Sequence, residues 1–167
     1  PVSVPPGTAT PTPTPGGPTN TPTPYPPSLR QGLVINEVCS NPVTTDNVPD
    51  GVIFGDSAVE LFNSSSEPLD LSVYRLCVNT TCLWLEGTVQ PLGYKVWYQQ
   101  WDGLVFLEGG ANTVRLYRAG ESPLVLVDTL AIQSQTPDHC WATVTDASPV
   151  YVEKYPPTLG RGNSWFQ

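Results

Sequence analysis

An all-β sandwich or barrel is the fold class this sequence predicts, and three observations carry that reading. Short runs rich in β-branched and aromatic residues recur from about residue 33 onward, each closed by Gly, Pro, Asn, Asp or Ser. Two runs alternate with period two: "YKVWYQ" sets Tyr94, Val96 and Tyr98 against Lys95, Trp97 and Gln99, and "TVRLYR" sets Val114 and Leu116 against Arg115 and Tyr117. No stretch carries a convincing helical period.

The strand-like runs follow in order. "LVINEV" (33–38) comes first, then "VIF" (52–54) and "AVELFN" (58–63). "VYRLCV" (73–78), "CLWL" (82–85), "YKVWYQQ" (94–100) and "TVRLYRA" (113–119) form the middle of the series. "PLVLVDTLAI" (123–132), "CWATVT" (140–145) and "VYVEKY" (150–155) close it. "NSSSEPLD", "PLGY", "EGGAN", "AGESP" and "DASP" separate the runs with turn chemistry. In "YKVWYQ" the core face is expected to be Tyr94, Val96 and Tyr98, with Trp97 packed on a neighbour.

The first 29 residues are of another kind. They hold 11 of the chain's 20 prolines, interleaved with threonine. Proline fixes φ and removes a donor, so polyproline II is the expected conformer. All 15 acidic residues lie at or after Glu37, and the first basic residue is Arg30. The boundary is therefore set between an arm or stalk, 1–29, and a domain, 30–167. Thr8, Thr10, Thr12, Thr14, Thr19, Thr21 and Thr23 suit O-glycosylation of such a stalk.

The net charge of −8 argues against nucleic acid, which needs a basic footprint. No apolar run reaches the length of a membrane span, so no membrane insertion is expected. The chain starts at Pro1 and contains no Met, which suggests a processed or trimmed polypeptide. Four cysteines beside a Thr/Pro stalk suggest disulfides and an extracellular or cell-surface location. The four-residue loop "VNTT" suits a hairpin bridge Cys77–Cys82, which leaves Cys39 with Cys140. Zinc is the competing reading of "CVNTTC", but no second ligand pair follows.

Several of these runs, in order, resemble the lamin tail domain in its prokaryotic secreted form, an immunoglobulin-like sandwich. "LVINEV" is similar to that family's opening strand. "AVELFNSSSEPLDLSVYRL" is similar to its most recognisable stretch, through Glu60, Leu61, Asn63, Asp70, Leu71, Ser72, Tyr74 and Leu76. "PLGYKVWY", the hairpin "GGANTVRLYRAGESPLVLVDTL" with Asp128, and the closing "PPTLGRGN" complete a match over about residues 33–163. Ser72-Val73, Leu159 and "TDA" (145–147) depart from the family pattern at turns. The resemblance implies no catalytic residues, only binding or accessory roles.

Candidate sites are few. "DHC" (138–140) holds the only histidine, His139, but strand neighbours point to opposite faces, so a nucleophilic site is not expected. Glu37 and Glu60 are carboxylates of the kind a glycosidase pairs, though nothing in the sequence says that they face each other. Asp46, Asp50 and Asp56 lie in an oxygen-rich loop with calcium-binding chemistry but no EF-hand spacing. "YKVWYQQW" (94–101) offers aromatic rings for stacking on sugars. Asn63 and Asn79 begin N-glycosylation sequons. The expectation is a non-enzymatic structural or adhesive subunit without cofactor or metal, assembling with copies of itself into a filament through its arm. The alternative is a carbohydrate-binding or accessory module of a secreted hydrolase, with surface glycans as partners.

Overall fold

The computed structural model describes residues 29–41, 56–120 and 123–163. Its strands are β1 (Leu33–Cys39), β2 (Ala58–Asn63), β3 (Leu69–Asp70), β4 (Tyr74–Val78), β5 (Thr81–Trp84), β6 (Thr88–Val89), β7 (Tyr94–Tyr98), β8 (Asn112–Arg118), β9 (Val125–Ile132), β10 (Cys140–Thr143) and β11 (Tyr151–Lys154). They form an all-β sandwich. One antiparallel sheet has five strands in the order β11-β10-β1-β2-β7, the other four in the order β5-β4-β8-β9, and β3 pairs with β6 in a small ribbon.

The main core lies between the two large sheets. Leu33, Ile35 and Val38 of β1, with Val59 and Leu61 of β2, meet Leu76 and Val78 of β4, Val114 and Leu116 of β8, and Leu130 and Ile132 of β9. Alternation along β8 puts Val114 and Leu116 inside, as its sequence pattern indicates. Along β7 the expectation is reversed. Trp97 faces the main core, whereas Tyr94, Val96 and Tyr98 lie half-buried on the other face. The reason is that the five-stranded sheet is covered on both sides. Its outer face carries Leu159 against Ala58 and Val96, and Ala147 against Val34 and Phe62. When both faces are buried, alternation does not reveal which is the core.

Both disulfides are those the sequence suggests. Cys39–Cys140 joins β1 to β10, and Cys77–Cys82 closes the β4–β5 hairpin between directly paired residues. In the hairpin turn, Asn79 takes a positive φ of 54°. Asn tolerates the left-handed region better than most residues, because its short polar side chain bonds locally. Its Nδ2 and Oδ1 reach Asn112 Oδ1 and the Thr113 amide at 2.9 Å.

The run "YKVWYQQ" stops being a strand at Tyr98. A single helical turn, α1 (Gln99–Asp102), follows, closed by Gly103 at φ 73°. That positive φ suits glycine. A 3₁₀ turn at Leu71–Val73 starts from Asp70, whose Oδ1 accepts from the Ser72 amide at 2.9 Å. The two-residue strands β3 and β6 are too short to show a period in the sequence. Residues 52–54 lie outside the described residues, as do the arm threonines.

Candidate functional site

Two places bring together side chains that the sequence singles out. The first is under the C-terminal segment. The β1–β2 register slips between Ile35 and Glu37, so Asn36 is a bulge residue. A bulge re-aims the strand. It turns Glu37 away from the main core and sets it directly opposite Glu60 of β2. Both carboxylates are fully buried.

Each accepts at least one hydrogen bond from the covering segment. The Thr158 amide donates to Glu37 Oε1 at 2.9 Å, and Thr158 Oγ1 lies 2.6 Å from Glu37 Oε2. Glu60 accepts from Asn36 Nδ2 at 2.8 Å and from the Gly160 amide. Asn36 Nδ2 also donates to Asp146 Oδ1 at 3.0 Å, and Tyr94 donates its phenolic proton to Asp146 Oδ2 at 2.6 Å. Asn163 Nδ2 donates to Thr143 Oγ1 at 2.8 Å and to the Asn36 carbonyl at 3.1 Å.

Burial, above all, lifts both Glu37 and Glu60 over the usual carboxylate range, and the charge of Glu37 pushes Glu60 further. Proton counting agrees for the pair as a unit. Thr158 Oγ1 lies 2.6 Å from Glu37 Oε2 and also 2.6 Å from Asn163 Oδ1, yet carries one proton. One of these contacts needs a proton from the acid side, while Lys154 Nζ, 3.4 Å from Thr158 Oγ1, favours an ionised Glu37, so the retained proton belongs to the pair and not to one carboxyl. Like charges opposed in a buried pair do not ionise together. These carboxylates face each other, but no sugar reaches them without lifting the C-terminal segment. The group Glu37, Cys39 and Cys140 has metal-ligand proximity, but both sulfurs are spent in a disulfide.

The second place is an open cleft of about 460 Å³ lined by Leu83, Trp84, Glu86, Lys95, Val96, Trp97, Trp101 and Asp102. It lies where β5, the edge of one sheet, and β7, the edge of the other, stand on the same side of the sandwich. Trp84 and Trp101 are 51% and 62% exposed, while Trp97 forms the buried floor. Lys95 donates to the Glu86 carbonyl and lies 5.4 Å from the centre of the Trp97 ring.

The α1 turn is what presents Trp101. Asp102 Oδ2 accepts from the Tyr98 amide at 2.7 Å, and Asp56 Oδ2 accepts from the Gln100 amide at 2.9 Å. The Tyr98 ring meets Trp101 edge-on at 5.6 Å. Asp56 is thus committed to holding this turn; partial desolvation raises its carboxyl above the usual range. Asp46 and Asp50 lie outside the described residues. The sequence pointed to Trp97 and Trp101 through one aromatic run. It gave less notice of Trp84, which stands between Leu83 and buried Leu85 and points outward.

Two further candidates hold structural contacts. His139 Nδ1 contacts the Pro137 carbonyl at 2.9 Å and its ring lies 5.3 Å from Tyr155, while neighbouring Cys140 is oxidised. The sequon residue Asn63 is buried, with Nδ2 shared among the carbonyls of Glu67, Val89 and Gln90. A glycan on Asn63 has no room in this fold. No protein-family model, curated protein or solved structure matches this chain. Two disulfides fit an oxidising compartment, and among the described residues no helix is long and apolar enough to cross a membrane.

Proposed function

We propose that this chain is an extracellular, non-enzymatic binding module that takes carbohydrate in the cleft between β5 and β7. One observation carries the reading: two solvent-exposed tryptophans flank a cleft whose rim holds Glu86, Lys95 and Asp102. Sugar rings present apolar faces that stack on indole and hydroxyl edges that need donors and acceptors, and the cleft supplies both. The Glu37–Glu60 pair takes no part, being sealed and fully engaged. The test is retention of the full chain on a panel of immobilised glycans. Trp101→Ala is expected to weaken retention sharply without unfolding the domain; retention of no glycan at all, or equal retention by Trp101→Ala, would sink the proposal.

Kinship with lamin tail domains belongs to the same proposal. Its support is that the motif residues hold structural posts here: Asn36, Glu37, Glu60 and Asn163 form one buried network, and Asp128 pairs with Arg30.

The subunit reading has an observation of its own. β9 is an edge strand whose Val125, Leu126 and Val127 are exposed. Exposed apolar edges invite pairing with another chain. The expected role of the arm in assembly falls on residues 1–28, outside the described residues. Light scattering on the full chain, and on a chain lacking 1–28, decides it. A full chain that stays monomeric at high concentration rules assembly out.

A further inference from the structure

We infer that the ligand is an acidic polysaccharide bearing uronate carboxylates, read by Arg75 and Arg115 on the outer face of the four-stranded sheet; this rests on the carbohydrate reading of the neighbouring cleft. The register builds the surface. Trp84, Arg75, Tyr117 and Leu126 are paired in one row across β5, β4, β8 and β9. The next outward row is Cys82, Cys77, Arg115 and Thr129. Their inward neighbours Leu76, Leu116 and Leu130 belong to the core, which fixes these rows as outward. Trp84 is shared: it ends the row and also lines the cleft. Sheet face and cleft are therefore one continuous surface around the β5 edge.

Charge selects the ligand. The chain has 15 acidic against 7 basic side chains, yet neither row contains a carboxylate; Glu86 and Asp102 stand around the β5 edge in the cleft, beside Lys95, so the carboxylates of the ligand are read on the rows and its sugar faces in the cleft. Arg30 pairs with Asp128, whereas Arg75 and Arg115 show no ion pair with a described residue. Arg75 lies 5.9 Å over the Trp84 ring, and its buried Nε has no acceptor. Packing on the indole, not hydrogen bonding, thus holds this guanidinium. Residues diagonal across adjacent strands stand roughly 7–8 Å apart, which separates Arg75 from Arg115 by about that distance. A planar guanidinium fork matches a carboxylate bidentately. A uronate polymer meets both demands, sugar faces for Trp84 and Trp101 and carboxylates for the arginines. The Cys77–Cys82 bridge lies in the second row and stiffens it.

The test uses the full chain in affinity electrophoresis against polygalacturonate, alginate, hyaluronate and glucuronoxylan, each beside its methyl ester. Dextran sulfate and poly-glutamate serve as polyanion controls. At least one uronate polymer is expected to bind tenfold or more tighter than its ester, and to weaken as NaCl rises. Arg75→Gln with Arg115→Gln should remove that tenfold preference and leave binding of the ester unchanged, with an unaltered melting temperature. Trp101→Ala should weaken acid and ester alike. If esters bind as tightly as acids, or the arginine variant keeps the preference, the inference is wrong while the carbohydrate reading stands. If no sugar polymer binds, both are wrong. Equal binding of poly-glutamate, insensitive to Trp101→Ala, would mean polyanion adhesion and would also overturn it.

Discussion

Trp97 and Trp101 stand four residues apart in one aromatic run and have opposite fates. Trp97 is 5% exposed and Trp101 is 62% exposed. The strand ends between them, and α1 swings the second ring outward. Truncating a buried aromatic costs about 3–5 kcal/mol, because transfer energy is lost and a cavity remains. Trp97→Ala is therefore expected to lower the urea midpoint sharply. Trp101→Ala should change stability by no more than about 0.5 kcal/mol, the usual scale for surface changes. Urea denaturation monitored by circular dichroism separates them; equal losses would mean that Trp101 is a core residue. The aromatic density of this run was legible in the sequence. The face of each ring was not, because the outer side of the five-stranded sheet is buried too, under Leu159 and Ala147. Trp84 has the same kind of flanking residues, Leu83 and Leu85, and does point outward, so alternation alone does not tell the two tryptophans apart.

At the scale of elements, β1 shows how much a strand pattern conveys. "LVINEV" reads as a strand from its residues alone, and Leu33, Ile35 and Val38 do reach the core. Their spacing is two, then three, and the extra step is the bulge at Asn36. That irregularity is visible in the sequence only once the core residues are known. The meeting of Glu37 with Glu60 is less legible still, since it depends on the pairing of strands separated by a long connection. Cysteine pairing was legible for a different reason: a short loop fixes one bridge and leaves a single partner for the remaining thiols. The two bridges should differ in worth. In the chain-entropy model a hairpin-sized loop is worth about 2 kcal/mol and a loop of roughly 100 residues about 4.7. Cys39 and Cys140 are separated by 101 residues, Cys77 and Cys82 by 5. Replacing Cys39 and Cys140 together by Ala should cost about 2.7 kcal/mol more than the same change at Cys77 and Cys82. Thermal melts of both variants check the order, and an inverted order would show that strain or residual unfolded structure outweighs loop closure.

For the whole molecule, acid is expected to stabilise the fold, and two sources of that trend can be told apart. A net charge of −8 repels itself, and lowering the pH relieves the repulsion. The second source is buried: Glu37 and Glu60 hold their protons above the ordinary glutamate range because burial disfavours the charged form. The native state then binds more protons than the unfolded chain once the pH exceeds that ordinary value. Stability from this source is fully present below the unfolded pKa and is lost as pH rises toward the raised native one. The slope is about 1.4 kcal/mol per pH unit for each proton so retained. Surface repulsion is screened by salt, whereas a sealed pair is screened far less. Urea midpoints at pH 5, 6, 7 and 8, in low and in high salt, should therefore fall with pH under both conditions. Glu60→Gln removes one titrating group and the repulsion it exerts on Glu37, so its midpoints should fall less steeply. Its Oε1 can still accept from Asn36 Nδ2, but the amide faces the Gly160 donor, so an overall drop in stability is expected beside the flatter slope. Limited proteolysis localises the effect, because Thr158 and Gly160 are the donors that tie the C-terminal segment to the pair. Cleavage near residues 156–163 should quicken as pH rises from 6 to 8 in the unaltered chain. A stability that is flat or increasing from pH 5 to 7, or a pH slope in Glu60→Gln as steep as in the unaltered chain, would show that the buried pair does not govern this trend.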